Sequence, residues 1–267
     1  MPGGPRASGT ARVLAILGCF GIDRPTLTLS EISRLADIPL TTAHRQVAEL
    51  RHWGALERDE HGRYRIGLRL WEVGSLGPRS IGLREAALPF FEDLYEATHE
   101  NILVAVLDGS DVVYVERISG SRAVHAVSRP GSRLPAHATA VGLVLLAHAA
   151  PDEVEAVLGR PLKRLTEHTV TDPTRVRRSL AEVRRTGYAF SDRQVELVSV
   201  SVAAPVYGTG NAVVAGLSIV VPARGVQARR YVPAVLAAAR GISRSLGASR
   251  QLDGGAGQGQ APAVGAR

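Results

Sequence analysis

Several residue types that carry specialised structure are scarce in this chain of 267 residues. Cys19 is the only cysteine, so the sequence holds neither a disulfide framework nor a metal site built from several thiolates. That scarcity is typical of proteins in the reducing cytoplasm, where we expect this one to act. Aromatic residues make up only 4% of the chain, too few for the stacking platforms that grip single-stranded nucleic acids.

The short motifs of common enzyme classes are also missing. The chain has no Gly-x-Ser-x-Gly elbow, no phosphate-binding loop and no dinucleotide fingerprint. We therefore predict that it is not an enzyme and uses no cofactor. His125, His137 and His148 do not have the spacing of metal ligands, and no paired carboxylates or thiols complete such a set. We predict no metal site.

No apolar run is long enough to cross a bilayer. Residues 13–20 follow Arg6 and Arg12 in the manner of a short signal peptide, but no small-residue cleavage site comes after them. We expect this run to form the first helix of an N-terminal domain, and we predict no membrane partner. The net charge of +7 permits a nucleic-acid partner without proving one.

Residues 27–50 contain two short amphipathic segments separated by a tight turn. Ser30 is a suitable N-cap for the first segment because its hydroxyl can accept a hydrogen bond from an otherwise free amide. Pro39 then disfavours helical geometry at the residue before it, and Asp37 tolerates the left-handed conformation that a tight turn needs. The spacing predicts a helix-turn-helix, a unit that places its second helix in the DNA major groove.

The second segment separates an apolar stripe from a polar face. The stripe recurs at i, i+4 and i+7, at Ala43, Val47 and Leu50. Thr41 or Thr42 is expected to cap this helix. Arg45 points nearly opposite the stripe, with His44 and the two threonines beside it. Since guanidinium, imidazole and hydroxyl groups bind phosphates and base edges, we predict that these four side chains contact double-stranded DNA.

A charged hairpin follows the two helices. Residues 55–58 and 63–66 predict two short strands joined by a turn at residues 60–62. The hairpin completes a winged helix-turn-helix over residues 10–67, and from this wing we predict that Arg63 and Tyr64 also contact DNA. The alternative is a winged-helix module that binds another protein and no longer engages DNA.

Composition divides the rest of the chain. Residues 1–9 and 249–267 are expected to be disordered, and residues 68–99 predict a helical linker that contains Pro89. Over residues 100–248, hairpins mixed with helices predict an α+β domain built on an antiparallel sheet. Its strands are predicted at residues 101–108, 112–117, 125–128, 199–207 and 212–221, and its helices at 137–149, 152–158, 172–185 and 227–246.

Three stretches, taken in order, resemble the IclR family of bacterial transcriptional regulators between residues 11 and 246. They are the wing ending in Gly62-Arg-Tyr-Arg-Ile-Gly, the element Leu134-Pro-Ala-His-Ala-Thr-Ala-Val-Gly, and a C-terminal set with Gly187-Tyr-Ala, Ser201-Val-Ala-Ala-Pro-Val-Tyr and Gly216-Leu-Ser-Ile-Val-Val-Pro. The resemblance implies a homodimer or tetramer. It also implies a GAF-like C-terminal domain that binds a small organic acid as effector and thereby changes DNA affinity.

Carried over by position, the resemblance implies an effector pocket made by His137, Thr139, Ala140, Gly142, Ser191 or Asp192, Ser201, Ser218 and Val220. The amides near Thr139 and Gly142 would meet the carboxylate, because a helix N-terminus offers free N–H groups. Leu143-Val144 stand where the family often has Lys-Ala, and Val220 stands where a second serine is common. These departures imply a less polar pocket than in relatives that bind very small acids.

Overall fold

The computed structural model describes residues 8–21, 23–76, 81–120, 128–225 and 227–248. The chain divides into two compact units, Met1–Glu85 and Ala86–Arg267, with the division inside a helix. The predicted helical linker, residues 68–99, is therefore divided between the two units. No helix within the described ranges is long and apolar enough to cross a membrane.

The first unit is a helix-turn-helix with a small wing. Its elements are α1 (Gly9–Leu17), β1 (Thr26–Leu27), α2 (Leu29–Leu35), α3 (Leu40–Trp53), β2 (Leu56–Arg58), β3 (Tyr64–Ile66) and α4 (Leu68–Ser75). The three strands form an antiparallel sheet in the order β1-β3-β2. Strand β1 is too short to leave an alternating pattern, and its pairing with the wing was not predicted.

The ends of the helices correct two predictions. Thr28, not Ser30, caps α2, because its Oγ1 accepts from the Glu31 N–H at 3.3 Å while the Glu31 carboxylate accepts from the Thr28 N–H at 2.7 Å. This reciprocal pair satisfies two amides at once, which a cap at Ser30 would not do. Helix α3 begins after Pro39 as N-cap, so neither Thr41 nor Thr42 caps it.

Two other local predictions for this unit agree with the structure. Asp37 has the predicted left-handed backbone, with φ of 51°. The predicted stripe of α3 is buried, and its Val47 and Leu50 pack in a core with Ile16, Ile32 and Leu56. The predicted disorder of residues 1–9 is wrong for its last two residues, because α1 begins at Gly9 and the Ser8 side chain caps it. Residues 1–7 lie outside the described part of the chain.

The second unit is built on a six-stranded sheet. Its elements are α5 (Ile81–Thr98, which starts in the first unit), β4 (Asn101–Asp108), β5 (Asp111–Ile118), β6 (Arg133–Pro135), α6 (Ala140–His148), α7 (Pro151–Leu158), α8 (Pro173–Thr186), β7 (Ala189–Asp192), β8 (Ser199–Tyr207), β9 (Val213–Pro222) and α9 (Val232–Ser245). The strand order is β6-β5-β4-β9-β8-β7, and every pair is antiparallel. The predicted α+β class is confirmed.

Helix α6 is the central element on one face of this sheet. Its residues from Ala140 to Ala147 are all buried, as expected for a helix that is apolar on every side. Leu103, Ala203 and Val220 on neighbouring strands share its apolar cluster. Helix α9 packs against strand β8, so the sheet carries helices on both sides.

Several predicted segments shift at their boundaries. The predicted helix 137–149 is a 3-10 turn, Ala136–Ala138, followed by α6, because Thr139 takes an extended backbone as the N-cap. The final helix begins at Val232 after another 3-10 turn rather than at residue 227. Strands β6 and β7 were not predicted because they are only three and four residues long. The predicted strand at 125–128 lies outside the described residues except for Ser128, which is not in a strand.

Candidate functional site

The polar face of α3 stands free of the core. Thr41, His44 and Arg45 are exposed and Thr42 is half-buried, while Gln46 turns inward and is buried. The helix runs for 14 residues and ends at Gly54, whose φ of 90° lets the chain turn into the wing. The exposed face therefore presents a guanidinium, an imidazole and hydroxyls on one side of a rigid helix, which is the arrangement that reads a DNA groove.

The wing tip is held by its own backbone and by Asp59. The Asp59 carboxylate accepts from the N–H groups of His61 at 3.0 Å and Arg63 at 2.8 Å. The Arg58 Nε donates to the Gly62 carbonyl at 3.1 Å, and its guanidinium lies 5.7 Å from the centre of the Tyr64 ring. These contacts fix the hairpin turn and keep the basic Arg58 at its edge.

Arg63 and Tyr64 both have partners inside the unit. The Arg63 guanidinium donates to the carbonyl and hydroxyl oxygens of Thr26 at 2.9 and 3.1 Å and lies 3.7 Å from the Glu31 carboxylate. Tyr64 is only 7% exposed and belongs to the apolar core. Their contacts with DNA stay predictions, and the burial of Tyr64 does not favour one for its ring. Thr26 was missed because its link to Arg63 spans 37 residues of sequence.

In the second unit, four of the residues implied by the family resemblance line one small cavity. Ser191, Ser201 and Val220 stand side by side across β7, β8 and β9, and Thr139 approaches them from the start of α6. The cavity has a volume of about 20 Å³ and is completed by Tyr114, Ser128, Gln194, Val195, Glu196 and Ser199. It is large enough for a water molecule, so a ring-sized ligand would require its walls to move.

Two of the hydroxyls at this cavity are engaged with the protein. Thr139 Oγ1 accepts from the Gly142 N–H at 2.9 Å, and Ser191 Oγ donates to the Ala138 carbonyl at 2.7 Å. The Gly142 amide therefore already has a partner inside the protein, and a contact between the amides at the start of α6 and a carboxylate stays a prediction. Ser201 is different, because no hydrogen-bond partner for its hydroxyl occurs among the described residues.

The other implied residues lie outside the cavity. Ala140 and Gly142 are buried in α6, and Ser218 is buried opposite Ala203, two residue pairs along the strands from Ser201. Asp192 is exposed and pairs with Arg193 at 2.8 Å. The hydrogen bond from that guanidinium lowers the pKa of the Asp192 carboxyl.

His137 lines a separate cavity of about 170 Å³, together with Asp111, Arg160 and Lys163 among others. Its Nε2 lies 3.1 Å from the Lys163 carbonyl oxygen. Burial lowers the pKa of the His137 imidazole, and the Lys163 carbonyl and Asp111 oppose that effect only in part. This supports a role in ordering the turn before α6. No group of three or more His, Cys, Asp or Glu side chains in the described ranges is placed to hold a metal ion.

Tyr114 is a cavity residue that sequence reasoning missed. It is almost fully buried, and this burial raises the pKa of its phenol to about 12. The phenol therefore stays protonated and can donate a hydrogen bond to a ligand. Nearby, Arg117 donates to the Ser128 carbonyl at 2.8 Å and to Asn101 Oδ1 at 2.7 Å. The period-two pattern of β5 would have placed Tyr114 inward, but not beside β7 and β8.

A pair of threonines, the threonine clasp, holds one wall of the same cavity. Thr169 Oγ1 accepts from the N–H groups of Leu165 and Thr166 at 3.1 and 2.8 Å and donates to the Gln194 carbonyl at 2.6 Å. Thr166 Oγ1 donates to the Arg193 carbonyl at 2.6 Å. Arg193 has a φ of 54°, a conformation that costs energy in a non-glycine residue. The clasp therefore stabilises the bend that brings Gln194 to the cavity.

Both units match profiles of known protein families. A family profile described as the IclR helix-turn-helix domain matches residues 9–60, and one described as the C-terminal part of bacterial transcriptional regulator IclR matches residues 78–244. The regulator XynR of Escherichia coli is 34% identical over 217 residues, which cover 80% of this chain and 86% of XynR. KipR of Bacillus subtilis is 32% identical over 207 residues, covering 77% and 82%.

Solved structures match most of the chain. An IclR homologue from Microbacterium hydrocarbonoxydans, complexed with 4-hydroxybenzoate, superposes with a TM-score of 0.86 at 41% identity and covers 91% of this chain and all of its own. A regulator from Rhodococcus sp. RHA1 superposes with a TM-score of 0.78 at 33% identity, covering 90% and 98%. The chain therefore belongs to the IclR family of DNA-binding bacterial transcriptional regulators.

Proposed function

We propose that this protein is a cytoplasmic regulator whose operator affinity changes when a small carboxylic acid with an apolar body binds in its C-terminal unit. The observation that carries the proposal is the cavity between α6 and strands β7–β9, where Thr139, Ser191, Ser201 and Val220 come together. A relative of 41% identity was solved with 4-hydroxybenzoate, an acid of this class.

The chemistry of the cavity supports an acid with an apolar body. Tyr114 and Ser201 offer hydroxyl donors for an oxygen of the ligand, and the N-terminal end of α6 places a positive partial charge beside Thr139. Val220 and Val195 supply apolar walls. Glu196 also lines the cavity, and its negative charge disfavours a ligand carboxylate on that side of the cavity.

Binding of a ring-sized acid requires expansion of the cavity. Ligand pockets usually have volumes of about 300–1,000 Å³, whereas this one has about 20 Å³. The segment that holds Gln194, Val195 and Glu196 is the wall joined to the rest of the unit by the threonine clasp. We infer that this segment moves outward as ligand enters, and that this movement distinguishes the two states between which an effector selects.

On the DNA side, we propose that Arg45 makes the principal base contact, with Thr41, Thr42 and His44 beside it. All four lie on the face of α3 that the core leaves free. Arg63 contributes from the wing through the part of its side chain that Thr26 leaves exposed, 40% of it. Phosphate contacts of this kind make binding depend on salt.

We further propose that the protein is a homodimer joined through its N-terminal half. Leu68, Trp71 and Leu76, on or just after α4, are 61%, 63% and 74% exposed. Apolar side chains that are this exposed commonly mark an interaction surface. A dimer also doubles the base pairs that are read, because each recognition helix meets one half-site. Light scattering at micromolar concentration should give twice the monomer mass, whereas a monomer would contradict this proposal and a tetramer would extend it.

The test of the regulatory function combines two titrations. A labelled duplex from the region upstream of the protein's own gene is titrated by fluorescence anisotropy at several salt concentrations, alone and with each carboxylic acid that stabilises the protein in a thermal-shift screen. The expected result is salt-dependent binding whose affinity changes about 5–150-fold with one of the acids. DNA binding that no stabilising acid changes would contradict the effector role. No salt-dependent binding would favour a protein-binding module instead.

A matched pair of serine variants locates the acid. Ser201→Ala removes a hydroxyl that faces the cavity and should weaken binding by roughly 0.5–1.5 kcal/mol, or more if the hydroxyl donates to the carboxylate. Ser218→Ala makes the same chemical change in a buried residue outside the cavity and should leave the affinity unchanged. If only Ser218→Ala weakened binding of the acid, the binding site would have to be assigned to the neighbourhood of Ser218.

A further inference from the structure

A second and much larger cavity lies at another place in the C-terminal unit. It has a volume of about 380 Å³, which falls in the usual range for small-molecule sites. It lies between α6, α8, the start of β7 and the 3-10 turn before α9. The lining residues are Leu143, Arg178, Ser179, Glu182, Val183, Thr186, Tyr188, Ala189, Phe190 and Arg229.

The floor and one wall of this second cavity are apolar. Leu143 and Val183 are buried beneath it. Tyr188 and Phe190 meet edge to face, with ring centres 5.5 Å apart and an interplanar angle of 84°. Both rings are partly exposed to the cavity. Such surfaces stabilise an apolar or aromatic body by excluding water from it, and they offer little to a sugar or another ligand covered with hydroxyls.

The rim of the cavity carries two guanidinium groups without an acidic partner among the described residues, Arg178 on α8 and Arg229 in the 3-10 turn. Arg229 lies over the Phe190 ring at 5.1 Å, an arrangement that holds the cation against the aromatic wall. Glu182 also lines the cavity, but its carboxylate is bound by Arg185 at 2.5 and 3.1 Å. The unneutralised charge at the rim is therefore positive.

We propose that this cavity is a second small-molecule site, which binds an organic anion carrying one carboxylate on an apolar, ring-sized body. The body lies on Phe190 and Tyr188 above Leu143, and the carboxylate bridges Arg178 and Arg229. Arginine suits this role because its planar fork can donate two parallel hydrogen bonds to a carboxylate. The proposal goes beyond the regulatory function above and does not depend on it.

The second cavity is separate from the effector pocket proposed above. No described residue lines both. Along α6 they are one helical turn apart, because Thr139 faces the small cavity and Leu143 the large one. A ligand in the second cavity contacts α8 and the 3-10 turn, whereas one in the first contacts β8 and β9. Occupation of the two sites can therefore be measured separately.

The test uses benzoate, a plain aromatic carboxylate, as the probe and a fluorophore placed at the site. The chain has two tryptophans, Trp53 and Trp71, both in the first unit, so Tyr188→Trp in the full-length protein adds the one indole of the C-terminal unit. Subtracting a wild-type titration removes the other two signals. Benzoate should change the fluorescence of the added indole saturably, and benzamide, its neutral analogue, should bind at least about tenfold more weakly.

Three further variants assign the charges in the Tyr188→Trp background. Arg178→Gln and Arg229→Gln should each raise the benzoate dissociation constant by roughly tenfold. Arg175→Gln removes the same charge from α8 at an exposed residue outside the cavity and should leave the dissociation constant unchanged. Equal binding of benzoate and benzamide, the absence of a saturable change, or unchanged affinity in both cavity variants would overturn the proposal.

A second measurement covers the case in which Tyr188→Trp does not fold. Equilibrium dialysis with radiolabelled benzoate counts the molecules bound per chain in the wild type and in the double variant Arg178→Gln/Arg229→Gln. The double variant should lose one bound molecule per chain, whether or not the first cavity also binds benzoate. Ser201→Leu should leave this bound molecule in place. The proposal would be overturned if the double variant bound as many benzoate molecules as the wild type. It would also be overturned if Ser201→Leu lost the benzoate molecule that the double variant loses.

Discussion

A β-carbon on Gly142 would lie 2.1 Å from the carbonyl oxygen of Ala136. Ala136 belongs to the 3-10 turn before α6, and Gly142 lies in the first turn of that helix, where its N–H donates to Thr139. The missing side chain lets the turn fold back against the helix. Thr139 lines the cavity while Gly142 does not, so we expect Gly142 to shape the pocket from behind.

Gly142→Ala is therefore expected to destabilise the C-terminal unit rather than only to block a ligand. Backbone must shift to make room for the methyl group, and overpacking of this kind costs about 1–3 kcal/mol. Urea denaturation followed by circular dichroism measures the change. Gly82→Ala is the control, because a β-carbon there meets nothing within 4 Å, and it should not lower the stability. Wild-type stability of Gly142→Ala would contradict the account of this contact.

Arg45→Ala should weaken operator binding by about 1–3 kcal/mol and relax the preference at one base pair, as expected when a bidentate base contact is lost. The measurement is an anisotropy competition with operators substituted at each position. Arg175→Ala, which removes the same charge from exposed α8, should bind as the wild type does. If every operator position kept its preference in Arg45→Ala, the base contact would have to be assigned to another residue of α3.

Arg63→Ala should lower the stability of the N-terminal unit, because the chain loses the two hydrogen bonds that tie the wing to Thr26. Each is worth roughly 0.5–1.5 kcal/mol. Arg65→Ala is the comparison, since it removes only an exposed pair with Glu57, worth at most about 1 kcal/mol. The predicted phosphate contact of Arg63 has a separate readout: the salt slope of DNA binding should fall by about one. An unchanged slope would limit Arg63 to its structural role.

Thr169→Val should loosen the wall of the small cavity while keeping the shape of the side chain. The hydroxyl accepts from two backbone N–H groups, donates to the Gln194 carbonyl and lies 3.4 Å from the Thr166 hydroxyl. Its loss leaves the Gln194 carbonyl without that donor. We expect a loss of stability of about 1–3 kcal/mol and a faster exchange of the amide hydrogens around residue 194. Thr174→Val, at an exposed residue of α8, should change neither. Wild-type exchange rates in Thr169→Val would show that the clasp does not hold this segment.

Acidification should destabilise the C-terminal unit through His137. Burial lowers the pKa of the folded imidazole below the value of about 6.5 that it has in the unfolded chain. Between those two values the unfolded state binds the extra proton, so stability is full above about pH 6.5 and falls as the pH drops through the folded pKa. His137→Gln should flatten this dependence in denaturation curves measured from pH 8 to pH 5. If the stability of His137→Gln depended on pH as the wild type does, the pH dependence would have to come from other titratable groups.

Local features of this protein were determined by its sequence. The stripe of Ala43, Val47 and Leu50 is buried as its period requires, and the strands Asn101–Asp108 and Ser199–Tyr207 occupy the predicted residues. Such patterns are readable because periodicity and hydrogen bonds between near neighbours act within a few residues. The wrong prediction of Ser30 as the N-cap of α2 also concerns near neighbours. Thr28 is the cap because it makes a reciprocal contact with Glu31, three residues away.

The candidate sites were decided by tertiary structure. Ser191, Ser201 and Val220 meet because three antiparallel strands pair in one register, and a slip of one residue would turn each side chain to the opposite face. Tyr114 joins them from a strand that is distant in sequence, and burial then fixes its proton. The sequence by itself indicated the longer helices and strands, but not the short strands β6 and β7. Only the packing of those elements, which depends on the whole chain at once, decided which side chains share a cavity and which amides are free.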